Sequence, residues 1–109
     1  MMWLFFSNGF VSIVAHRGRP DSLLVRSRNM CHLKSLFPNA THFTLDYSDY
    51  PHRSIVHRKD VAETLTNYIM CMQYDNFKNS IVDSEFRNIS RIIWSILYQY
   101  GMEYRRSVK

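Results

Sequence analysis

The residues best suited to chemistry in this chain are its arginines. In Leu23-Leu24-Val25-Arg26-Ser27-Arg28, strand alternation puts Arg26 and Arg28 on one side and Leu23 and Val25 on the other. Arg17 follows Val11-Ser12-Ile13-Val14-Ala15-His16, and Arg53 and Arg58 bracket Ser54-Ile55-Val56-His57. A guanidinium offers a planar fork of donors that matches a phosphate, while Phe43, Tyr47 and Tyr50 offer rings on which a base can stack. Together these types suit single-stranded nucleic acid or an RNA loop. The formal net charge of +5 favours an anionic partner in the same way. Strand arginines also fit a plainer role, as a solvated sheet face that discourages edge pairing.

Histidines supply the alternative chemistry. His16, His42, His52 and His57 fall in strands or turns, where a pair meeting near Arg53 could cleave a phosphodiester by metal-independent acid–base catalysis. Asp46, Asp49 and Asp75 lie on separate segments, which argues against a magnesium site. Cys31 and Cys71 have no second thiol or imidazole at ligand spacing and read as buried, reduced thiols of a cytoplasmic protein. Neither a metal nor a cofactor is expected. With no phosphate-cradling glycine loop either, the chain reads as a non-enzymatic binding protein, with a histidine nuclease as the alternative.

A protein partner fits the composition as well as nucleic acid does. Tyr50, Tyr74, Phe77, Lys78, Tyr104 and Arg105 lie in segments expected to be accessible, and tyrosine and arginine are enriched at interface hot spots. The box Tyr74-Asp75-Asn76-Phe77-Lys78 can equally pin a connection to the core through its two rings. An exposed sheet face or an apolar first strand would also serve as the seam of a homodimer.

These residues need a scaffold, and the chain is long enough for one core. Its 109 residues are 46% apolar and 21% charged, a globular balance. The run from Met1 to Phe6 is too short to span a membrane, and it lacks a basic leader and a cleavage site. Asn8-Gly9 between apolar runs signals an opening hairpin. The arginine strand comes next, then a short helix capped by Asn29 with Met30, Leu33, Leu36 and Phe37 at helical spacing. Alternation over Thr41–Tyr47 and the run Arg53–His57 predict a second hairpin.

Asp60 with Glu63 resembles a capping box and opens a helix striped by Val61, Leu65, Tyr68, Ile69 and Met72. The final helix starts at Asp83 or Ser84 and carries Phe86, Ile89, Ile93, Ile96, Leu97 and Tyr100, with Gly101 as its predicted cap. The order β-β-β-α-β-β-α-α predicts an α+β two-layer sandwich, an antiparallel sheet of about five strands backed by two or three helices. The expected layout is one domain over residues 1–101 and a basic tail over residues 102–109.

Several motifs resemble a family of small uncharacterised proteins from bacteria and their phages. They are Met2-Trp3-Leu4-Phe5 with Gly9-Phe10, Pro20-Asp21 leading to Val25-Arg26-Ser27-Arg28, Asp49-Tyr50-Pro51-His52-Arg53, Tyr74-Asp75-Asn76-Phe77-Lys78, and Trp94 with Tyr98. The resemblance spans most of the chain and implies a compact domain of bacterial or phage origin, but no reaction. For a phage protein without catalytic equipment, it implies docking on nucleic acid or on a host nucleic-acid-handling complex, in an anti-defence or host-takeover role inside the host cytoplasm.

Overall fold

Ser7 and Asn8 form a two-residue turn joining β1 (Met2–Phe6) to β2 (Gly9–Ala15), with Phe6 paired to Gly9 and Met2 to Ile13. The computed structural model describes residues 1–107, apart from the side chain of Lys78. The hairpin is where the Asn-Gly pair predicts it, for a different reason. Neither central residue, Ser7 or Asn8, has a positive φ, so this is not the turn that requires left-handed residues at both central positions, and Gly9 is already the first residue of β2. Space is what demands glycine here: a Cβ on Gly9 would sit 2.3 Å from Cγ of His32. His32 in turn holds the hairpin, its Nδ1 accepting the Phe10 N–H at 3.2 Å.

Three more strands complete one antiparallel sheet: β3 (Ser22–Ser27), β4 (His42–Thr44) and β5 (His52–His57), in the order β1-β2-β3-β5-β4. Helix α1 (Met30–Leu36) starts at Asn29, whose side chain accepts the Cys31 N–H at 2.9 Å. Helix α2 (Arg58–Met70) starts earlier than the Asp60 capping box predicts. His57 is its cap, accepting the Lys59 N–H at 3.2 Å, and Asp60 sits in the first turn, where a carboxylate complements the helix dipole. Strand β4 is shorter than the predicted Thr41–Tyr47, because the chain turns away after Thr44 and leaves Phe43, Leu45 and Tyr47 exposed.

Alternation decides which sheet face is covered. Phe6, Val11, Ile13, Val25 and Val56 are buried in one cluster with Leu33 and Leu36 of α1, Phe37 and Val61 of α2. Each such side chain contributes roughly 1.5–3 kcal/mol on leaving water. Residues 1–74 are thus an α+β sandwich, a five-stranded sheet backed by α1 and α2, as the sequence predicts. Of the outer part of the predicted stripe, Ile69 stays exposed on α2, and Met72, also exposed, lies past the end of the helix. Both cysteines are exposed rather than buried, since Cys31 lies on the outer side of α1 and Cys71 just past the end of α2.

The chain divides at Tyr74 and Asp75 into two compact units. The second holds the one-turn helix α3 (Phe77–Ser80) and the long helix α4 (Ser84–Ser107). Asp83 caps α4 by accepting from the Glu85 and Phe86 N–H groups at 2.9 and 3.3 Å. Arg87 folds back to donate Nε and Nη2 to the Ile81 carbonyl, at 2.9 and 2.6 Å. Gly101 does not end the helix: without a positive φ it makes no left-handed cap, and α4 runs on to Ser107. Most of the predicted tail is therefore helical, and residues 108–109 lie outside the described ones. No described helix is long and apolar enough to cross a membrane.

Candidate nucleic-acid interface

The pairing registers align one cross-strand row: Trp3 opposite Ser12, Ser12 opposite Arg26, Arg26 opposite Arg53, and Arg53 opposite Phe43. Cross-strand partners point to the same side of a sheet, here the side away from α1 and α2. In the next row Phe5 faces Phe10, their rings stacked with centroids 4.4 Å apart. The Trp3 ring meets the edge of Phe10 at 5.9 Å, and Phe10 lies 6.5 Å from Tyr50. This face therefore carries a connected set of rings with arginines among them.

Tyr50 organises the arginines. The guanidinium carbons of Arg26 and Arg28 stand over its ring, 4.6 and 4.4 Å from the centroid. Such contacts contribute on the order of 0.5–2 kcal/mol, more as the site is desolvated. Tyr50 is only 4% exposed, so it is not the accessible contact residue that its turn segment predicts. It is a buried plate against which two cations rest. Arg53 holds the same turn from the other side, donating Nε to the Tyr50 carbonyl at 3.0 Å and Nη2 to Ser48 Oγ at 2.7 Å. Arg28 Nε donates to the Asp49 carbonyl at 3.2 Å, and Arg26 Nη2 to Ser12 Oγ at 3.0 Å.

All these acceptors are neutral. Among the described residues no carboxylate lies within ion-pair distance of Arg26, Arg28 or Arg53, and the one ion-pair contact is His57 with Asp21 at 3.6 Å, at the far end of β5. The Asp49 carboxylate lies in the same turn, accepting the Tyr50 N–H at 3.0 Å and the Ser48 hydroxyl at 3.4 Å, but it makes no direct ion pair with the three arginines, and the terminal nitrogens of exposed Arg28 have no acceptor among the described residues. Tyr47, fully exposed with φ 69°, sits in the turn that Arg28 and Arg53 hold. Left-handed backbone costs a bulky residue about 1–2 kcal/mol. Nothing packs against the ring to offset that cost.

Comparison with known proteins finds no matching family model, no matching curated protein and no matching solved structure. The functional reading therefore rests on this chain's own geometry.

That geometry gathers some of the expected site residues and separates others. Arg26, Arg28 and Arg53 come together. Arg17 is exposed beyond the other end of β2, and Arg58 opens α2 with Nε donating to the Pro20 carbonyl at 2.7 Å. Tyr74 lines a mostly apolar cavity of about 270 Å³ with Leu4, Phe6, Leu65 and Tyr68, an anchoring role. Phe77 is half-buried at the start of α3, and the Lys78 side chain lies outside the described residues. Trp3 belongs to the site although its sequence context shows only an apolar strand. Its place was readable by counting back from the two-residue turn, which sets Trp3 opposite Ser12.

His42 and His52 are diagonal neighbours on one face of the β4–β5 pair, with Arg53 between Ser54 and His52 along β5, but no hydrogen bond joins the two rings among the described residues, and His16 and His57 lie elsewhere. His16 Nδ1 accepts the Gly18 N–H at 3.1 Å, His52 Nδ1 lies 3.4 Å from Thr44 Oγ1, and His57 caps α2. His42 Nδ1 is 2.6 Å from Ser54 Oγ, but Ser54 is fully buried and His42 Nε2 is buried without a partner among the described residues. An activated serine needs access to substrate and a third group to orient the base, and this pair has neither. No group of three or more His, Cys, Asp or Glu among the described residues could hold a metal ion.

Proposed function

We propose that this protein binds single-stranded nucleic acid on the sheet face away from α1 and α2, without catalysing a reaction. The supporting observation is the set of three arginines around Tyr50, none of them in a direct ion pair among the described residues, with Arg26 and Arg53 in the same cross-strand row as exposed Trp3 and Phe43. Arg28 and Arg53 engage phosphates through their free N–H groups, while Trp3, Phe43 and Tyr47 stack bases. Base–aromatic stacking contributes about 1–3 kcal/mol per base and tolerates any sequence, so the binding favours single strands over a chosen sequence. The stacked Tyr50 holds the guanidinium planes in place beforehand, which reduces the ordering cost of engaging a phosphate.

Photo-crosslinking tests the assignment. The full chain is irradiated with a single-stranded oligouridine or oligothymidine, and the adducts are mapped by peptide mass spectrometry. Adducts are expected on peptides containing Trp3, Phe43 or Tyr47. Adducts confined to other segments, or none at low salt, would overturn the proposal.

A further inference from the structure

Helix α4 carries the largest set of exposed apolar side chains in the described chain, on a face that has the period of a helix-pairing seam. Phe86, Ile89, Ile93, Ile96 and Tyr100 recur at alternating steps of three and four, the spacing with which one helix packs lengthwise on another. Phe86 is buried. From there on Ile89, Ile92, Ile96, Leu97, Tyr100 and Tyr104 are all at least half exposed. They occupy one side of the helix, whereas Arg87, Arg91 and Arg105 lie on another. Soluble chains rarely leave so long an apolar stripe uncovered.

We infer that α4 is the interface of a homodimer, in which the helices of two copies of this chain pack antiparallel along the Ile89–Tyr104 stripe. Area supports a second copy. Six large side chains presenting on the order of 100 Å² each offer about 600 Å² per protomer, close to the roughly 800 Å² a side of a standard interface. A helix of 24 residues, about 36 Å long, gives a partner helix the length to cover them.

Charge sets the direction. The first turn of α4 is acidic, with Glu85 next to the capping Asp83, and its last turn is basic, with Arg105 and Arg106. Glu85, Ile92, Gln99 and Arg106 recur every seven residues along one edge of the seam. Antiparallel packing puts Ile89 against Tyr100 and Ile93 against Ile96 of the second copy, and then Glu85 faces Arg106 and Ile92 faces Gln99 across that edge. Parallel packing would set acidic turn beside acidic turn and basic beside basic. Antiparallel helix dipoles add to the preference.

Sedimentation equilibrium of the full chain over a micromolar concentration series reads the proposal. The expected mass is twice the chain's 13.1 kDa, and Ile96→Glu should raise the dimer dissociation constant at least 100-fold while the circular dichroism spectrum is unchanged. Glu85→Arg and Arg106→Glu, each made alone, should weaken the dimer several-fold, and the double swap should restore it. A monomer throughout the series overturns the proposal. A dimer indifferent to Ile96→Glu, or one that the double swap fails to restore, overturns the interface or its direction.

Discussion

The two faces of the sheet follow different rules. On the face under α1 and α2, Val11, Ile13, Val25 and Val56 lock against Leu33, Leu36 and Val61 in ordinary apolar packing. On the other, the same strands present Trp3, Phe10, Arg26 and Arg53, tied by ring contacts and by hydrogen bonds to neutral acceptors. The covered face fixes the fold, because losing any of its side chains opens a cavity. The other face keeps charge that the fold does not need to neutralise. Stability and binding should therefore be separable by substitution, since their residues alternate along the same strands.

The largest effect on stability should come from the covered face. Leu33→Ala, at a fully buried site, should cost about 2–5 kcal/mol in urea unfolding, and any loss of nucleic-acid affinity should track the unfolded fraction alone. Gly9→Ala comes next. Its Cβ would overlap the His32 ring, and the resulting shift of α1 should cost roughly 1–3 kcal/mol, read as a lower midpoint of denaturation.

Trp3→Ala reverses the pattern: about 1–3 kcal/mol of affinity for single-stranded oligonucleotide lost, with much less change in unfolding free energy than Leu33→Ala causes. A Trp3 variant that unfolds readily but binds normally once folded would dissolve the distinction between the faces. The smallest effect lies outside the sheet. Gly101→Ala adds a Cβ that meets nothing within 4 Å in mid-helix, and should stabilise α4 by about 0.5–1 kcal/mol in thermal melts, with binding unaffected.

The sheet was legible in the sequence because its strands are short apolar runs bounded by turn residues and its first turn is a strong hairpin signal. The sandwich and the Asn29 cap follow from such local patterns. Features that depend on long-range placement were not legible. Tyr50 looks like an exposed turn residue until Arg26 and Arg28, more than twenty positions earlier, are seen to close over it. Phe43, Leu45 and Tyr47 alternate like a strand, yet pairing with β5 ends at Thr44. Gly101 has the position of a helix cap but not the left-handed backbone of one, a property of φ rather than of residue type. Arg17 and Arg58 share the residue type of the site arginines, but Arg17 lies past the end of β2 and Arg58 opens α2, away from Tyr50.

The most direct test of an arginine face without direct ion pairs is the salt dependence of binding. Fluorescence anisotropy of a labelled single-stranded oligonucleotide, titrated with the full chain across a series of salt concentrations, reports it. Release of counterions by Arg28 and Arg53 predicts a log–log slope of about −1.4, reduced in magnitude by about 0.7 in Arg28→Gln. Binding that is absent at low salt, or that salt leaves unchanged, would contradict the account.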